Sequence, residues 1–401
     1  MNILLCTNCI ALLNKGNAYA EQSLYLIKMF LDIGYNIFYI SCNLNINDKK
    51  EIISLNEILN GIKNNSIRSE IKNTAMDNPG LYKVKYLPFP YKKYPCSLYV
   101  KDFNKIILKH NIHKIFFLMD IQFLVGDKFM CDSYCWLPLH YDILCSQTCK
   151  SINIIDNIIT LSLSSRKILL KYFPQKKITI IPHVINDKYI NYIGNKYEIR
   201  KKYNIKKNIF MCLINAMNYE ITNRKAIDIS ILGFKKYIDE HDPNAILYIK
   251  TISNSQYSII KLIETINLPK KNYIYNDNLI ELNELMDIYF MCDTTLICSK
   301  SEGFGLSIIE SQILGVPVIT NNFLAMYDYN IYGVCVDILQ KEYNVFSGDF
   351  WIIPSIDNIK NGIVQVREID DKYKHISQVY FKNYMSFNNV KLLIKNVLNL
   401  T

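Results

Sequence analysis

The sequence predicts an α/β protein built from two doubly wound, Rossmann-like domains. Short apolar runs alternate with longer stretches of helical periodicity, and this series starts twice along the chain. A polar stretch with little apolar periodicity, Asn186–Lys207, separates the two series. Strand–helix–strand alternation requires a parallel sheet with helices on its faces. A chain of 401 residues is long enough for two such domains.

The first series fills the N-terminal half. An apolar run predicts the first strand, helical periodicity follows it, and Gly34 marks the turn into the second strand. The predicted elements are strand Asn2–Cys6, helix Ala20–Ile33, and strands Asn36–Ser41, Lys114–Met119, Tyr134–Leu137, Asn157–Leu163 and Ile178–Ile181. Residues 43–80 are polar, so we predict an insertion or mobile segment with one helical stretch, Ile52–Ile62.

The second series has the same strand–helix alternation, and its last part is a mostly helical tail. The predicted elements are strand Ile209–Asn215, helix Ala226–Glu240, strand Ala245–Thr251, helix Ser258–Ile266, strand Tyr273–Tyr275, helix Ile280–Cys292, strand Thr294–Cys298, helix Leu306–Leu314, strand Pro317–Thr320 and the tail Asp370–Leu400. We therefore predict domains at residues 1–190 and 191–380, with a C-terminal helix at 381–401. Two facing parallel sheets leave a cleft at the carboxyl ends of their strands, where ligands bind.

Composition limits the class of partner and the compartment. Half of the residues are hydrophobic and a fifth are charged, so the chain is not disordered, and 46 basic against 36 acidic residues give a net charge of +10. The excess is diffuse, which favours an anionic small substrate or a peripheral membrane contact over nucleic acid. We find no spanning segment and no signal peptide. We therefore predict a cytoplasmic protein, in the host cytoplasm if the source is a large DNA virus.

The 12 cysteines favour reduced, buried thiols over a disulfide framework. Two spacings carry weaker alternatives: Cys6 with Cys9 could be a redox pair, and the pairs Cys131/Cys135 and Cys145/Cys149 could hold zinc.

The most specific motif runs from Ser299 to Glu310 and is followed by Gly315-Val316-Pro317. A predicted strand leads into Gly303-Phe304-Gly305, and a helix begins at Leu306. Glycines let the backbone approach a ligand closely, and a helix N-terminus attracts a diphosphate or sugar oxygens. Glu302 before the turn and Glu310 within the helix could accept hydrogen bonds from hydroxyl groups. The alternative is a solvated acidic pair around an ordinary turn.

Two further groups of side chains lie where they could face the cleft. Arg224 and Lys225 precede a predicted helix, and a cation there would stabilise a leaving diphosphate; the alternative is a solvated pair. His140 follows a predicted strand and could orient hydroxyl groups, and Asp120 ends the neighbouring strand. Each of these two could instead be structural. We assign no chemistry to His183.

The Glu302–Glu310 motif resembles the donor-site signature of retaining family 4 glycosyltransferases, which have the GT-B fold. The resemblance covers most of the chain; the other matching segments are Asn2–Cys6, Gly16, Gly34-Tyr35, Trp136–Asp142, Ile159–Ser165, Ile180–Asn186, Asn215–Asn218 and Asn223–Asp228. Asn218 stands where the family usually has an arginine that holds the diphosphate, so Arg224 would supply that charge. Ala226 replaces the family's usual glycine.

The resemblance implies a role for each matching residue. His140, Lys225 and Glu302 would be catalytic, with Lys225 and Glu302 on the diphosphate and sugar, and Glu310 would bind the ribose. The donor site would comprise Asn218, Arg224, Lys225, Gly303, Phe304, Gly305, Leu306 and Glu310, and the acceptor side would comprise Gly16, Asp120 and His140.

The predicted function is transfer of a sugar from a nucleotide-diphosphate sugar, with retention and without a metal or other cofactor. The acceptor would be a protein, a glycan or a lipid. Two alternatives stay open: a catalytically weak protein that binds nucleotide sugars or glycans, and a nucleotide-sugar epimerase. Donor hydrolysis without acceptor separates an enzyme from a pure binder.

Overall fold

A computed structural model describes residues 1–8, 12, 18–41, 52–62, 64–88, 97–218, 223–252, 258–344 and 349–399. Within these residues the structure has two parallel sheets with helices packed around them, one in each half of the chain. Gly16 and Cys9 lie outside the described residues.

The N-terminal half is built on a seven-stranded parallel sheet with strand order β3-β2-β1-β5-β7-β8-β9; β4 and β6 pair separately. Its elements are β1 (Asn2–Thr7), α1 (Ala18–Asp32), β2 (Asn36–Ser41), α2 (Leu55–Gly61), α3 (Asn65–Asp77), a 3₁₀ turn (Pro79–Lys83), β3 (Lys85–Tyr86), β4 (Leu98–Tyr99), α4 (Val100–Lys109), β5 (Lys114–Leu118), β6 (Leu124–Val125), β7 (Asp132–Leu137), α5 (Ser146–Ile154), β8 (Asn157–Thr160), α6 (Leu163–Tyr172) and β9 (Lys177–Ile180).

Residues 52–80 differ from the prediction. The single predicted helical stretch is shorter, because Ser54 caps α2 and forms a capping box with Glu57. A second helix, α3, follows; the Asn64 side chain accepts from two backbone amides at its start. Polar composition concealed α3, since only three of its residues are buried. The described part of the predicted segment therefore contains two packed helices where the sequence predicted one, and residues 43–51 and 63 of that segment lie outside the described residues.

The C-terminal half is built on a six-stranded parallel sheet with strand order β12-β11-β10-β13-β14-β15. Its elements are α7 (Asp187–Ile190), α8 (Lys196–Lys202), β10 (Met211–Asn215), α9 (Ile227–Glu240), β11 (Ile246–Lys250), α10 (Ile259–Thr265), a 3₁₀ turn (Lys270–Asn272), β12 (Tyr273–Asn276), α11 (Leu282–Met291), β13 (Thr294–Ile297), α12 (Leu306–Ile313), β14 (Val318–Asn321), α13 (Leu324–Asp328), β15 (Gly333–Val336), β16 (Ile338–Asn344), β17 (Asp349–Pro354), α14 (Ile356–Val366), α15 (Lys372–Tyr384) and α16 (Phe387–Val397).

The antiparallel pair β16–β17, here called the hairpin, is outside both large sheets and is missing from the sequence prediction. Most of β16 is exposed, so its residues lack the apolar run by which a buried strand is recognised.

The C-terminal tail contacts both halves of the molecule. The Ile185 N–H donates to the Met385 carbonyl at 3.0 Å, and the Lys391 ammonium lies 2.8 Å from the Asp32 carboxylate at the end of α1. In the other half, the Gln378 amide donates to the Ile313 carbonyl of α12 at 2.8 Å. The tail consists of two helices because Ser386 caps α16 immediately after α15 ends.

Both sheets reverse their strand order beside their first strand, at β1/β5 and at β10/β13. In open α/β sheets such switch points are where ligands bind, at the carboxyl ends of the strands. Among the described residues, no helix is both long and apolar enough to cross a membrane.

Candidate active site

The loop between β13 and α12, residues 298–305, is here called the donor loop. Gly305 has φ +83° and sits at the N-cap of α12, a left-handed conformation that favours glycine. Gly303 is required for a different reason. A Cβ there would lie 2.8 Å from the Pro138 Cβ and 3.1 Å from the His140 Cε1, so this glycine lets the N-terminal half contact the donor loop closely.

A second turn brings two cations to the donor loop. Arg224 and Lys225 precede α9, in a turn between Asn223 (φ +49°) and Ala226 (φ +45°). The Lys300 N–H of the donor loop donates to the Arg224 carbonyl at 2.7 Å, which fixes the turn against the loop. The left-handed backbone at Ala226 explains why a glycine is usual there in the family that the sequence resembles.

The Glu302 carboxylate is the point on which both cations converge. The Lys225 ammonium lies 2.6 Å from its Oε1, and the Arg224 Nη1 lies 3.4 Å from its Oε2 and 2.8 Å from the Ser301 carbonyl. Glu302 is only 7% exposed, while Lys225 is 24% exposed. Burial by itself would raise the pKa of Glu302, but Lys225 and Arg224 lower it to about 2. The site therefore holds an ionised carboxylate between two positively charged groups.

Two buried polar residues that the sequence analysis missed support Glu302. The Ser299 hydroxyl donates to the Glu302 Oε1 at 2.7 Å, and the Asn321 amide donates to the Ser299 carbonyl at 2.9 Å. Ser299 is in the motif, but serine is common in loops. Asn321 ends β14, and only the neighbouring position of β13 and β14 in the sheet brings it here.

His140 reaches the same place from the N-terminal half. Its carbonyl accepts a hydrogen bond from the Ser301 hydroxyl, and its ring lies beside Gly303. The structure thus brings together His140, Arg224, Lys225 and Glu302. Asp120 follows β5, which is next to β7 in the sheet. Burial raises the pKa of the Cys135 thiol in β7, and the charge of Asp120 raises it further.

Glu310 belongs to a second cluster. The Tyr289 hydroxyl donates to its Oε2 at 3.0 Å and accepts from the Asn215 amide at 2.8 Å. Desolvation by burial raises the pKa of Glu310 to about 7; hydrogen bonds from Tyr289 and Tyr189 oppose this rise, and the charge of Glu21 adds to it. The two motif glutamates therefore have opposite electrostatic environments, which their spacing did not indicate.

The other residues predicted for the donor site contribute packing or backbone contacts. Phe304 is buried between the rings of His183 and Tyr329, with both centroid distances 4.9 Å, and it joins the two halves. Burial lowers the pKa of His183 to about 3, so its ring is neutral. Leu306 is the first residue of α12. Asn218 is buried after β10, and its N–H donates to the Ile252 carbonyl at 3.3 Å.

Within the described residues, no group of three or more His, Cys, Asp and Glu side chains could hold a metal ion. The proposed zinc ligands Cys131, Cys135, Cys145 and Cys149 are all described and form no such group.

Comparison with solved structures identifies the architecture. Sucrose-phosphate synthase from Thermosynechococcus elongatus is 14% identical, with a TM-score of 0.66 over 99% of this chain and 98% of that one. HepE from Anabaena, solved in complex with UDP and glucose, is 12% identical, with a TM-score of 0.64 over all of both chains. The chain has the GT-B fold of glycosyltransferases. This agrees with the fold expected from the sequence.

Sequence comparison agrees for the C-terminal half. Residues 195–344 match the family described as Glycosyl transferases group 1, and this segment contains both the Arg224-Lys225 turn and the donor loop. The chain is also 31% identical over 163 residues to the O-antigen biosynthesis glycosyltransferase WclY of Escherichia coli. That alignment covers 39% of this chain and 42% of the relative.

Proposed function

We propose that this GT-B protein is a glycosyltransferase of the retaining family 4 type, which moves a sugar from a nucleotide-diphosphate sugar to an acceptor without a metal. The observation that carries the proposal is the convergence of Lys225 and Arg224 on Glu302 beside the N-terminus of α12. Two cations and a helix N-terminus are suited to a leaving diphosphate, which gains negative charge as the glycosidic bond breaks.

In this mechanism each group has a separate task. Lys225 and Arg224 stabilise the diphosphate, while the ionised Glu302 keeps both cations in place and accepts from hydroxyl groups of the donor sugar. The half-buried Glu310 accepts from the ribose. His140 lies opposite Gly303, at the junction between the N-terminal and C-terminal halves, where it faces the reacting sugar and orients it.

Stabilisation of the leaving group supports retention. The departing diphosphate oxygen can take the acceptor proton on the face that it leaves, so the new bond forms on that same face. An α-linked donor then gives an α-linked product, and proton NMR of the new anomeric centre tests this. A β-linked product would contradict the mechanism and direct attention to Asp120 and His140 as bases.

The substrate class follows the same argument. HepE was solved with UDP and glucose, and WclY acts in O-antigen biosynthesis, so we propose a nucleotide-sugar donor, with a glycan, lipid or protein as acceptor. The cytoplasmic location predicted from the sequence is a separate part of the proposal. A thermal-shift screen of nucleotide sugars, followed by calorimetry, tests the donor. A ligand at 100 times its dissociation constant should add about 2.7 kcal/mol of stability. No stabilisation by any nucleotide sugar or nucleoside diphosphate would refute the proposal.

Hydrolysis of the bound donor then separates an enzyme from a binding protein. A catalytically weak binder would be stabilised by the nucleotide sugar but would release no nucleoside diphosphate. The matched variant is Glu302→Gln. It should lower turnover more than it lowers nucleoside diphosphate affinity, because the glutamine amide oxygen can still accept from Lys225 but no longer offers a charged acceptor to the sugar hydroxyl groups.

A further inference from the structure

The hairpin is fixed to the candidate active site through one residue of the donor loop. Ile352 of β17 is fully buried, and its N–H donates to the Lys300 carbonyl at 3.1 Å. The Lys300 N–H in turn donates to the Arg224 carbonyl at 2.7 Å. The hairpin, the donor loop and the turn that carries Arg224 and Lys225 are therefore joined by consecutive backbone hydrogen bonds.

The same face of the hairpin also reaches the N-terminal half. Lys341 lies directly opposite Ile352 in the antiparallel register, so the two side chains share one face. The Lys341 ammonium forms an ion pair with the Asp142 carboxylate. Asp142 is two residues beyond His140, whose carbonyl accepts from Ser301 of the donor loop. The hairpin, the donor loop and the loop after β7 are therefore each in contact with the other two.

The ion pair between Lys341 and Asp142 should contribute little to the free energy of unfolding. Lys341 is 39% exposed and Asp142 is 24% exposed, so water screens the attraction in part. The second carboxylate oxygen, Oδ1 of Asp142, is buried and has no hydrogen-bond partner among the described residues. The contact from Lys341 to the other oxygen, Oδ2, therefore holds the Asp142 carboxylate, and with it the loop after β7, against the hairpin.

We propose that Lys341 is a positioning residue, which holds the His140–Asp142 loop against the donor loop through its ion pair with Asp142. This inference rests on the proposed function for its effect on turnover. In this proposal the hairpin holds the two halves together at the donor loop. His140 then keeps a constant position relative to the sugar bound at Glu302. A small displacement of an orienting group lowers turnover without weakening nucleotide binding.

The test is a double-mutant cycle on the full chain with Lys341→Ala and Asp142→Asn. Donor hydrolysis is the turnover measurement, and calorimetry gives the affinity for the nucleoside diphosphate. Each single variant should lower turnover threefold to tenfold and change the affinity less than twofold. The double variant should be no worse than either single variant. The charge exchange Lys341→Asp with Asp142→Lys should restore most of the turnover.

A second measurement does not depend on catalysis. Hydrogen exchange in a peptide covering residues 138–145 should be faster in both single variants and should return towards the wild-type rate in the charge exchange. Glu342→Ala is the matched control, because Glu342 lies on the opposite face of β16, across from Trp351.

Additive losses in the cycle, or exchange rates that equal those of wild type and the Glu342 control, would overturn the positioning role. A wild-type protein that binds no nucleotide sugar would instead refute the proposed function, while leaving the exchange measurement to decide whether the ion pair holds the loop.

Discussion

Replacing Gly303 by alanine would place a methyl group between the two halves of the molecule. The added Cβ would lie 2.8 Å from the Pro138 Cβ, 3.1 Å from the His140 Cε1 and 3.2 Å from the Pro138 carbonyl carbon. Carbon atoms attract best at about 3.5–4.0 Å, so the closest pair would have to separate by roughly 0.7 Å. Pro138 cannot rotate away, because part of the contact is backbone and the rest is a closed ring.

Two responses are open to the protein, and both are measurable. If the junction stays closed, overpacking should lower the free energy of unfolding by about 1–3 kcal/mol. If the halves separate instead, His140 moves away from the donor loop, and turnover should fall between tenfold and a hundredfold. In either case nucleoside diphosphate affinity should change little, because the cations and α12 belong to the C-terminal half.

The assay combines urea denaturation, donor hydrolysis and calorimetry on Gly303→Ala. Gly61→Ala is the control, because Gly61 ends α2 with no heavy atom within 4 Å of an added Cβ. Wild-type stability together with wild-type turnover in Gly303→Ala would show that the close contact at this glycine does not exist in solution.

Three other predictions follow from the site. Lys225→Ala should lower kcat at least a hundredfold, a loss of about 3 kcal/mol of transition-state stabilisation. Lys236→Ala, which removes a partly exposed lysine of α9, the helix that follows Lys225, should leave kcat unchanged; equal effects would show that Lys225 does not stabilise the diphosphate. The pKa of Glu310 is raised to about 7, so the protonated form stabilises the fold; this contribution is complete below about pH 4.5 and is lost as the pH rises through 7. Denaturation at pH 5 and pH 8 should therefore show a smaller fall in stability for Glu310→Gln than for wild type, by up to about 3 kcal/mol, and identical falls would contradict this. Ala226→Gly should raise the free energy of unfolding by about 0.5–1 kcal/mol because it relieves a left-handed alanine, whereas Gly305→Ala should lower it; a less stable Ala226→Gly variant would mean that this strain is absent.

The sequence by itself determined the fold class and the strand, glycine turn and helix that form the donor loop. Buried parallel strands are continuous apolar runs, and helices between them have their own period, so local patterns predicted most strands of both sheets. The donor loop is likewise a local feature. A strand, a Gly-x-Gly turn and a helix N-terminus are consecutive in the chain, so Glu302, Gly303 and Gly305 could be identified without knowing what surrounds them.

Tertiary structure decided which residues lie together. Arg224 and Lys225 are far from Glu302 in sequence, and the parallel pairing of β10 with β13 brings their loops together. The sequence could not show that Gly303 faces Pro138, that Asn321 supports Ser299, or that the exposed hairpin reaches across the junction. It also could not separate Glu302 from Glu310.

The physical reason is that a pKa depends on every charge and on the burial around a group, and these come from distant parts of the chain. Two cations keep Glu302 ionised, while burial among tyrosines favours the protonated form of Glu310. The sequence placed two carboxyl groups around the turn, and only the tertiary surroundings of each gave them different charges near neutral pH.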